Sequence, residues 1–152
     1  MRAAFTLIEI MVVIVIIMIL VGIVVGAAKF AQVKAATSRA QTELAVMEGA
    51  LEHYKNDNGV YPPSTTTRPN PLSNSGSLYA ALTTPKAYMT FKPNQIAVKS
   101  GITCIVDPFG SPYNYYRPGG TDTATNSATF DLWSYGPDGQ NDTVDDIVNW
   151  RQ

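Results

Sequence analysis

Residues 5–28 begin Phe5-Thr6-Leu7-Ile8-Glu9 and continue from Ile10 to Ala28 as IMVVIVIIMILVGIVVGAA. The 19 residues from Ile10 to Ala28 carry no charge and no strongly polar side chain. At about 1.5 Å of rise per residue, a helix of that length nearly matches the roughly 30 Å hydrocarbon core of a bilayer. A secretory signal has a shorter apolar region followed by a small-residue cleavage site. Here the chain passes from Ala28 straight into charged helical sequence at Lys29. The stretch therefore predicts an N-terminal membrane-spanning helix.

Three features of this helix leave choices open. Only Arg2 and the amino terminus precede the span, while Lys29, Lys34 and Arg39 follow it. Loop charge alone thus favours a cytoplasmic C-terminal part. Glu9 stands at the edge of the apolar run, and a carboxylate carried to the bilayer centre costs about 2.5–3.5 kcal/mol. It either rests at the water interface or pairs with a cation on another copy of the helix. Gly22 and Gly26 form a G-x-x-x-G, which reads as a close helix–helix approach, as a stretch weakened enough to melt locally in a filament, or as a sequence-tolerant lipid-facing helix.

Composition narrows the function classes. At 152 residues and 16.5 kDa the chain suits one domain. Eleven Lys and Arg against twelve Asp and Glu give a net charge of −1, so there is no basic footprint for nucleic acid. A single cysteine, Cys104, excludes an internal disulfide and a thiolate zinc site, and a single histidine, His53, leaves little for a triad. No G-x-x-x-x-G-K-[ST] is present. The composition disfavours an enzyme.

Past Ala28 the apolar residues thin to a stripe. Phe30, Thr37, Leu44 and Leu51 recur every seven residues, as do Val33, Ala40, Met47 and Tyr54. Together they fall on one helix face, with Lys34, Arg39, Gln41, Glu48, Glu52 and Lys55 opposite. No proline precedes Pro62, and Asn58-Gly59 is a stop signal, so one helix is predicted from about Phe5 to Asn58. Its stripe fits packing against a sheet better than a coiled coil. His53 lies beside the stripe without a second histidine or a cysteine to share a metal, and reads as structural.

Residues 60–94 have loop composition, with a short helix over Ser77–Leu82 capped by Ser77. Ile102–Val106, Tyr113–Tyr116 and Thr129–Ser134 read as short strands, with Asp107–Pro112 a turn between the first two and 119–127 a polar loop. Cys104, inside an apolar strand, reads as a buried free thiol. The fold class is α+β: a long N-terminal helix, membrane-spanning in its first half and amphipathic in its second, on a small antiparallel sheet.

Residues 131–146 read DLWSYGPDGQNDTVDD, with five aspartates and no Lys or Arg. A solvated acidic loop explains this run. So does an ordered loop between packed strands, flanked by Trp133 and Trp150, whose mutual repulsion a hard cation relieves; calcium takes six to eight oxygens from such donors. It is not an EF-hand: counting from Asp138, the position for Gly is Thr143 and the position for Glu is Asn149.

Phe5-Thr6-Leu7-Ile8-Glu9 and the apolar run behind a short basic leader resemble the type IV pilin superfamily. One departure is Ala4, where the family usually has Gly before the cut. The resemblance implies that a membrane-embedded prepilin peptidase cuts between Ala4 and Phe5 and N-methylates Phe5. It also implies that Glu9 pairs with the Phe5 amine of a neighbouring subunit. A second set of phrases looks like the major-pseudopilin family of type II secretion: ALEHYKNDNGVYP at the helix end, Asp107–Tyr113, DLWSYGPDG and Asp146–Trp150, with 63–101 the dissimilar stretch. This resemblance implies a calcium loop in place of the pilin disulfide. Carried over by motif, Asp138, Asp145 and Asp146 and the backbone carbonyl of Tyr135 are its ligands, with Asp142, Gln140 and Thr143 as further members.

The domain organisation implied is a leader at 1–4, a transmembrane and filament-core half-helix at 5–28, and an amphipathic half at 29–58. A periplasmic α+β head follows at 59–152, with the calcium-loop region at 131–150. The implied function is a structural subunit of the periplasmic pseudopilus that drives export of folded proteins. Its implied partners are further copies in a helical filament, the prepilin peptidase, an inner-membrane assembly platform, minor pseudopilins and membrane lipid before assembly, with no nucleic acid. The implied location is the inner membrane, single-pass, with the N-terminus cytoplasmic and the head periplasmic. Two other readings compete: a type IV pilin forming a surface fibre for adhesion, motility or DNA uptake, and a membrane-anchored calcium-dependent binding or hydrolytic domain.

Overall fold

The computed structural model describes residues 6–64, 70–117, 125–126 and 128–150. Ala4, Phe5 and most of the 119–127 loop lie outside the described residues. The chain divides into two compact units, 1–35 and 36–152.

In the first unit, helix α1 (Leu7–Asn58) begins. Every described apolar side chain from Leu7 to Val25 is exposed, and an 18-residue window reaches a mean hydropathy of 3.4. By length and composition this stretch is long and apolar enough to cross a bilayer. The helix runs unbroken through Gly22 and Gly26, and no neighbouring group lies within 4 Å of where their Cβ atoms would stand.

In the second unit, the rest of α1 turns amphipathic. Ala40, Leu44, Met47, Ala50 and Leu51 are buried, so the predicted stripe becomes core only from Ala40 onward; Phe30 is 71% exposed. His53 is exposed on this segment. The helix stops where predicted: Gly59 takes a left-handed φ of +77° and its N–H donates to the Lys55 carbonyl at 2.7 Å.

Helix α2 (Pro71–Thr83) corrects the loop reading of 60–94 and the shorter helix at Ser77–Leu82. Its cap is Asn70, not Ser77, which sits inside the helix. The Asn70 side chain accepts from Ser73 N at 3.4 Å, and Pro71 occupies the first turn, where its missing N–H is harmless. The polar run hid the helix because the first half of its buried face, Asn74 and Ser75, is itself small and polar. Ser75, fully buried, donates its hydroxyl to the Ile105 carbonyl and accepts the Ile105 N–H, both at 2.9 Å. At Gly76 a Cβ would stand 2.4 Å from Ile102 Cγ2. This face packs against a strand at a separation that larger apolar residues would prevent.

The single predicted sheet is two. Strands β1 (Ile96–Lys99) and β2 (Ile102–Ile105) form a hairpin with Lys99 opposite Ile102. Its turn residues Ser100 and Gly101 have φ of +50° and +77°, the mirror-image turn that matches strand twist. Strands β3 (Asn114–Tyr116), β4 (Asp131–Ser134) and β5 (Ile147–Val148) form an antiparallel sheet in that order. The sequence reading found β2, β3 and β4 but missed β1 and β5. The Asp107–Pro112 turn is present, closed by a Val106–Pro112 bridge.

One core joins Leu44, Met47 and Leu51 of α1 to Leu78 and Leu82 of α2, to Ile105, Tyr115 and Leu132 of the strands, and to Tyr113 just before β3. Each such side chain contributes about 1.5–3 kcal/mol on burial. Cys104 is a buried free thiol, as its strand context suggested, and burial pushes its titration up.

Candidate functional site

The acidic segment divides in the folded chain. Asp131 is not on the loop at all: it is fully buried in β4, where its carboxylate accepts the N–H groups of Thr125 and Asn126, each at 2.8 Å. The expectation of five like charges on one loop is corrected accordingly; the loop carries Asp138, Asp142, Asp145 and Asp146. Strands β4 and β5 clamp its ends, with Trp133 opposite Val148 and Ser134 opposite Ile147. Trp133 and Trp150 meet edge to face at 5.8 Å, and Trp133 Nε1–H donates to Asn141 Oδ1 at 2.9 Å.

Within the loop the acids are organised by backbone donors. Asp138 Oδ1 accepts from Gln140 N at 2.9 Å, and Asp145 Oδ2 accepts from Asp138 N at 3.1 Å. Asp146 Oδ2 accepts from Asp142 N at 2.9 Å, where Asp142 holds a left-handed φ of +64°. Gly136 and Gly139 turn the chain with φ of +66° and +67°. At Gly136 no side chain fits: a Cβ would stand 2.2 Å from the Asp145 carbonyl oxygen.

The structure brings together Asp138, Asp145, Asp146, Gln140 and Thr143 of the seven residues singled out in the sequence. The Thr143 hydroxyl lies 2.8 Å from Asp145 Oδ1, 3.3 Å from the Gln140 carbonyl, and 3.4 Å from both Asp138 Oδ1 and Asp146 Oδ1. A hydroxyl carries one proton. It can satisfy one of these oxygens; the others face it oxygen to oxygen. The Asp142 carboxylate turns instead to the Asn141 side-chain amide at 2.9 Å. Tyr135 stands at the loop entrance, its phenol donating to Asn114 Oδ1 at 3.3 Å.

The electrostatics match this uneven placement. The Thr143 hydroxyl bond holds Asp145 below the usual carboxylate range, outweighing slight desolvation. Burial raises Asp146, and the nearby Asp142 charge adds to it. The donors are all hard oxygens and the segment 131–150 contains no Lys or Arg, so its chemistry suits a hard cation such as calcium. Among the described residues no group of three or more acids, histidines and cysteines is drawn into a ready-made metal cluster. The oxygens gather around a hydroxyl rather than a common point.

Sequence reasoning missed two polar anchors of the head. Asp107, 2% exposed, accepts the N–H groups of Phe109 and Ser111 on Oδ1, both at 2.9 Å, and the Ser134 hydroxyl on Oδ2 at 2.6 Å. Burial still raises its titration. Glu43, on the buried side of α1, accepts from Arg39 Nε and from the Tyr113 hydroxyl, both at 2.8 Å. Burial and that carboxylate push the Tyr113 phenol up. The Asp-Pro turn was the available signal for Asp107; Glu43 had none beyond its place beside the stripe.

At the start of α1, Thr6 and Glu9 form a reciprocal cap. The Thr6 N–H and hydroxyl both donate to Glu9 Oε2 at 2.8 Å, and Glu9 N donates to Thr6 Oγ1 at 3.4 Å. The T-x-x-E spacing is a known capping signature, and the sequence reading passed over it. Within one chain the Glu9 carboxylate is thus already partnered.

A family profile described as "Type II secretion system (T2SS), protein G" matches residues 29–150. A second, "Prokaryotic N-terminal methylation motif", matches residues 1–25. The chain is 37% identical over 151 residues to "Type II secretion system core protein G" of Dickeya chrysanthemi, covering 99% of this chain and 87% of that one. It is 36% identical over 151 residues to the protein of the same name from Escherichia coli K12, covering 98% and 91%. Among solved structures it resembles the major pseudopilin of the type 2 secretion system of enterohaemorrhagic Escherichia coli. That likeness has 27% identity and a TM-score of 0.47, over 78% of this chain and 90% of that one.

Proposed function

This chain belongs to the protein G family of the type II secretion system, and from that membership we propose that it is the major subunit of a periplasmic pseudopilus. It is a structural protein. Before assembly the apolar half of α1 anchors it in the inner membrane, with the N-terminus cytoplasmic and the head periplasmic; family membership outweighs the loop-charge count. The prepilin peptidase cleaves between Ala4 and Phe5 and methylates the new amine. The methylation-motif match over residues 1–25 supports that reading. An inner-membrane platform and minor pseudopilins start the filament, and the apolar helices of many copies form its interior. There Glu9 exchanges its Thr6 cap for the Phe5 amine of the next copy, a charge pair that sets register.

The acidic loop is the head's staple in this reading. Calcium is held by the carboxylates of Asp138, Asp145 and Asp146 and by the Tyr135 carbonyl, with Asp142, Gln140 and Thr143 as further donors. When bound, the ion supplies the positive charge that the converging oxygens lack and ties residue 138 to residues 145–146. The observation that supports it is the gathering of three carboxylate oxygens around the Thr143 hydroxyl.

Thermal unfolding of the detergent-solubilised full chain, with calcium and with chelator, tests the loop. A ligand of the folded state at a hundredfold excess over Kd stabilises by about 2.7 kcal/mol. Asp138→Ala and Asp146→Ala are expected to abolish that gain, and identical melting in calcium and chelator would reject the site. Loss of protein export on deletion of the gene, restored by the wild-type chain, tests the filament role.

A further inference from the structure

Building on the proposed calcium loop, we propose that Asp107 and Ser134 are positioning residues for it: they aim the Tyr135 carbonyl without touching the ion. Asp107 lies 27 residues before Ser134 in the chain, in the turn between β2 and β3, and both side chains are buried. The Ser134 hydroxyl gives its single proton to Asp107 Oδ2 at 2.6 Å. Its lone pairs are thereby left to accept, and Gly136 N–H donates to Ser134 Oγ at 3.0 Å. The direction of this relay is fixed, because an ionised carboxylate only accepts.

The Gly136 N–H and the Tyr135 C=O belong to one peptide unit. A trans peptide is planar and its N–H and C=O point in opposite directions. Aiming the N–H at Ser134 therefore aims the Tyr135 carbonyl away from it. The same peptide is gripped on its other flanks. Gly136 is pressed against the Asp145 backbone so closely that a Cβ would stand 2.2 Å from the carbonyl oxygen. The Tyr135 phenol is tied to Asn114 Oδ1 at 3.3 Å. With the Asp107 acceptor gone, the Ser134 hydroxyl must seek another, and the Gly136 N–H loses the lone pair it was aimed at. The Tyr135–Gly136 peptide then loses the hydrogen bond that fixes its plane, and the Tyr135 carbonyl loses its set direction.

The test uses the full chain in detergent, calcium titration by calorimetry, and terbium luminescence lifetime as a count of water on the bound ion. Asp107→Asn keeps the size of the side chain, and Ser134→Ala removes only the hydroxyl. Both are expected to weaken calcium about tenfold or more, the usual scale for outer-shell partners, and to add water to bound terbium. Gly101→Ala is the control, since Gly101 has φ +77° in the β1–β2 turn with nothing within 4 Å of a new Cβ. It is expected to lower the melting temperature in chelator while leaving affinity and terbium hydration as in wild type. Wild-type affinity and hydration in Ser134→Ala would overturn the relay, even if Asp107→Asn fails to fold. Equal affinity losses in Ser134→Ala and Gly101→Ala would overturn it too. A wild-type chain that takes up neither ion overturns the calcium reading itself, and the relay with it.

Discussion

Replacing Gly136 by alanine should destabilise the head far more than the same change at Gly139, three residues on. The two glycines share one loop and almost one backbone conformation, φ +66° and +67°. Each substitution therefore incurs the same left-handed strain, about 1–2 kcal/mol. They differ in what the new methyl meets. At Gly139 nothing lies within 4 Å, whereas at Gly136 the Asp145 carbonyl oxygen lies 2.2 Å away and its carbon 2.9 Å away. Relief requires the Asp145 peptide to retreat by about 1 Å, and forcing such shifts on a packed site costs about 1–3 kcal/mol. The retreat also pulls Asp145 from Asp138 N and from the Thr143 hydroxyl, now at 3.1 and 2.8 Å. We expect about 3–5 kcal/mol for Gly136→Ala against about 1–2 kcal/mol for Gly139→Ala. Urea unfolding of the detergent-solubilised chain in chelator, followed by the fluorescence of Trp133 and Trp150, reads the difference. With a slope of about 1–3 kcal/mol per molar urea, the midpoints should separate by roughly 1 M. Coincident midpoints would refute the claim that the two ends of the loop are held together by this close approach.

Two further outcomes follow from the buried acids. Glu43→Ala strips the acceptor from the buried Tyr113 hydroxyl and from Arg39, and should cost about 2–3 kcal/mol in the same assay. Tyr113→Phe, which leaves Glu43 paired with Arg39, should cost only about 1 kcal/mol; equal losses would show that the hydroxyl rather than the carboxylate carries the contact. Burial raises Asp107 above its ordinary value of 3.8. Between 3.8 and its raised value the folded chain binds more protons there than the unfolded chain, so stability falls as pH climbs through that window. Asp146, also raised, acts with the same sign, while Asp145, lowered by its Thr143 bond, contributes stability that is lost as pH falls below 3.8. Asp107→Asn should flatten the upper window in chelator, and an unchanged pH profile would refute the assignment.

The long helix was legible because its signals are local. Periodicity, the absence of proline and the Asn58-Gly59 stop each act within a turn or two of the residues they govern. Helix α2 was half legible: Asn70-Pro71 is a start signal, but its buried Asn74 and Ser75 and its close-packed Gly76 look like loop until β2 lies against them. The β1–β2 hairpin was signalled by Ser100-Gly101 and passed over, and β5, only Ile147 and Val148, is too short for any alternation to show. At the candidate site, the residue types and their places in the chain were legible. Asp131 was wrongly counted among the loop acids because nothing in DLWSYGPDG marks its first residue as buried.

The sequence by itself determined a membrane-length apolar helix running into an amphipathic one, a head of short strands, and a carboxylate-rich segment near the C-terminus. Only the tertiary structure decided which acids meet. Strand register sets Ser134 opposite Ile147, which holds residues 136 and 145 together. The β2–β3 turn brings Asp107 to Ser134 across 27 residues of chain. Helix propensity and hydrophobic periodicity arise from interactions between residues three or four apart. A site assembled from separate strands and turns depends on contacts that exist only once the core has packed.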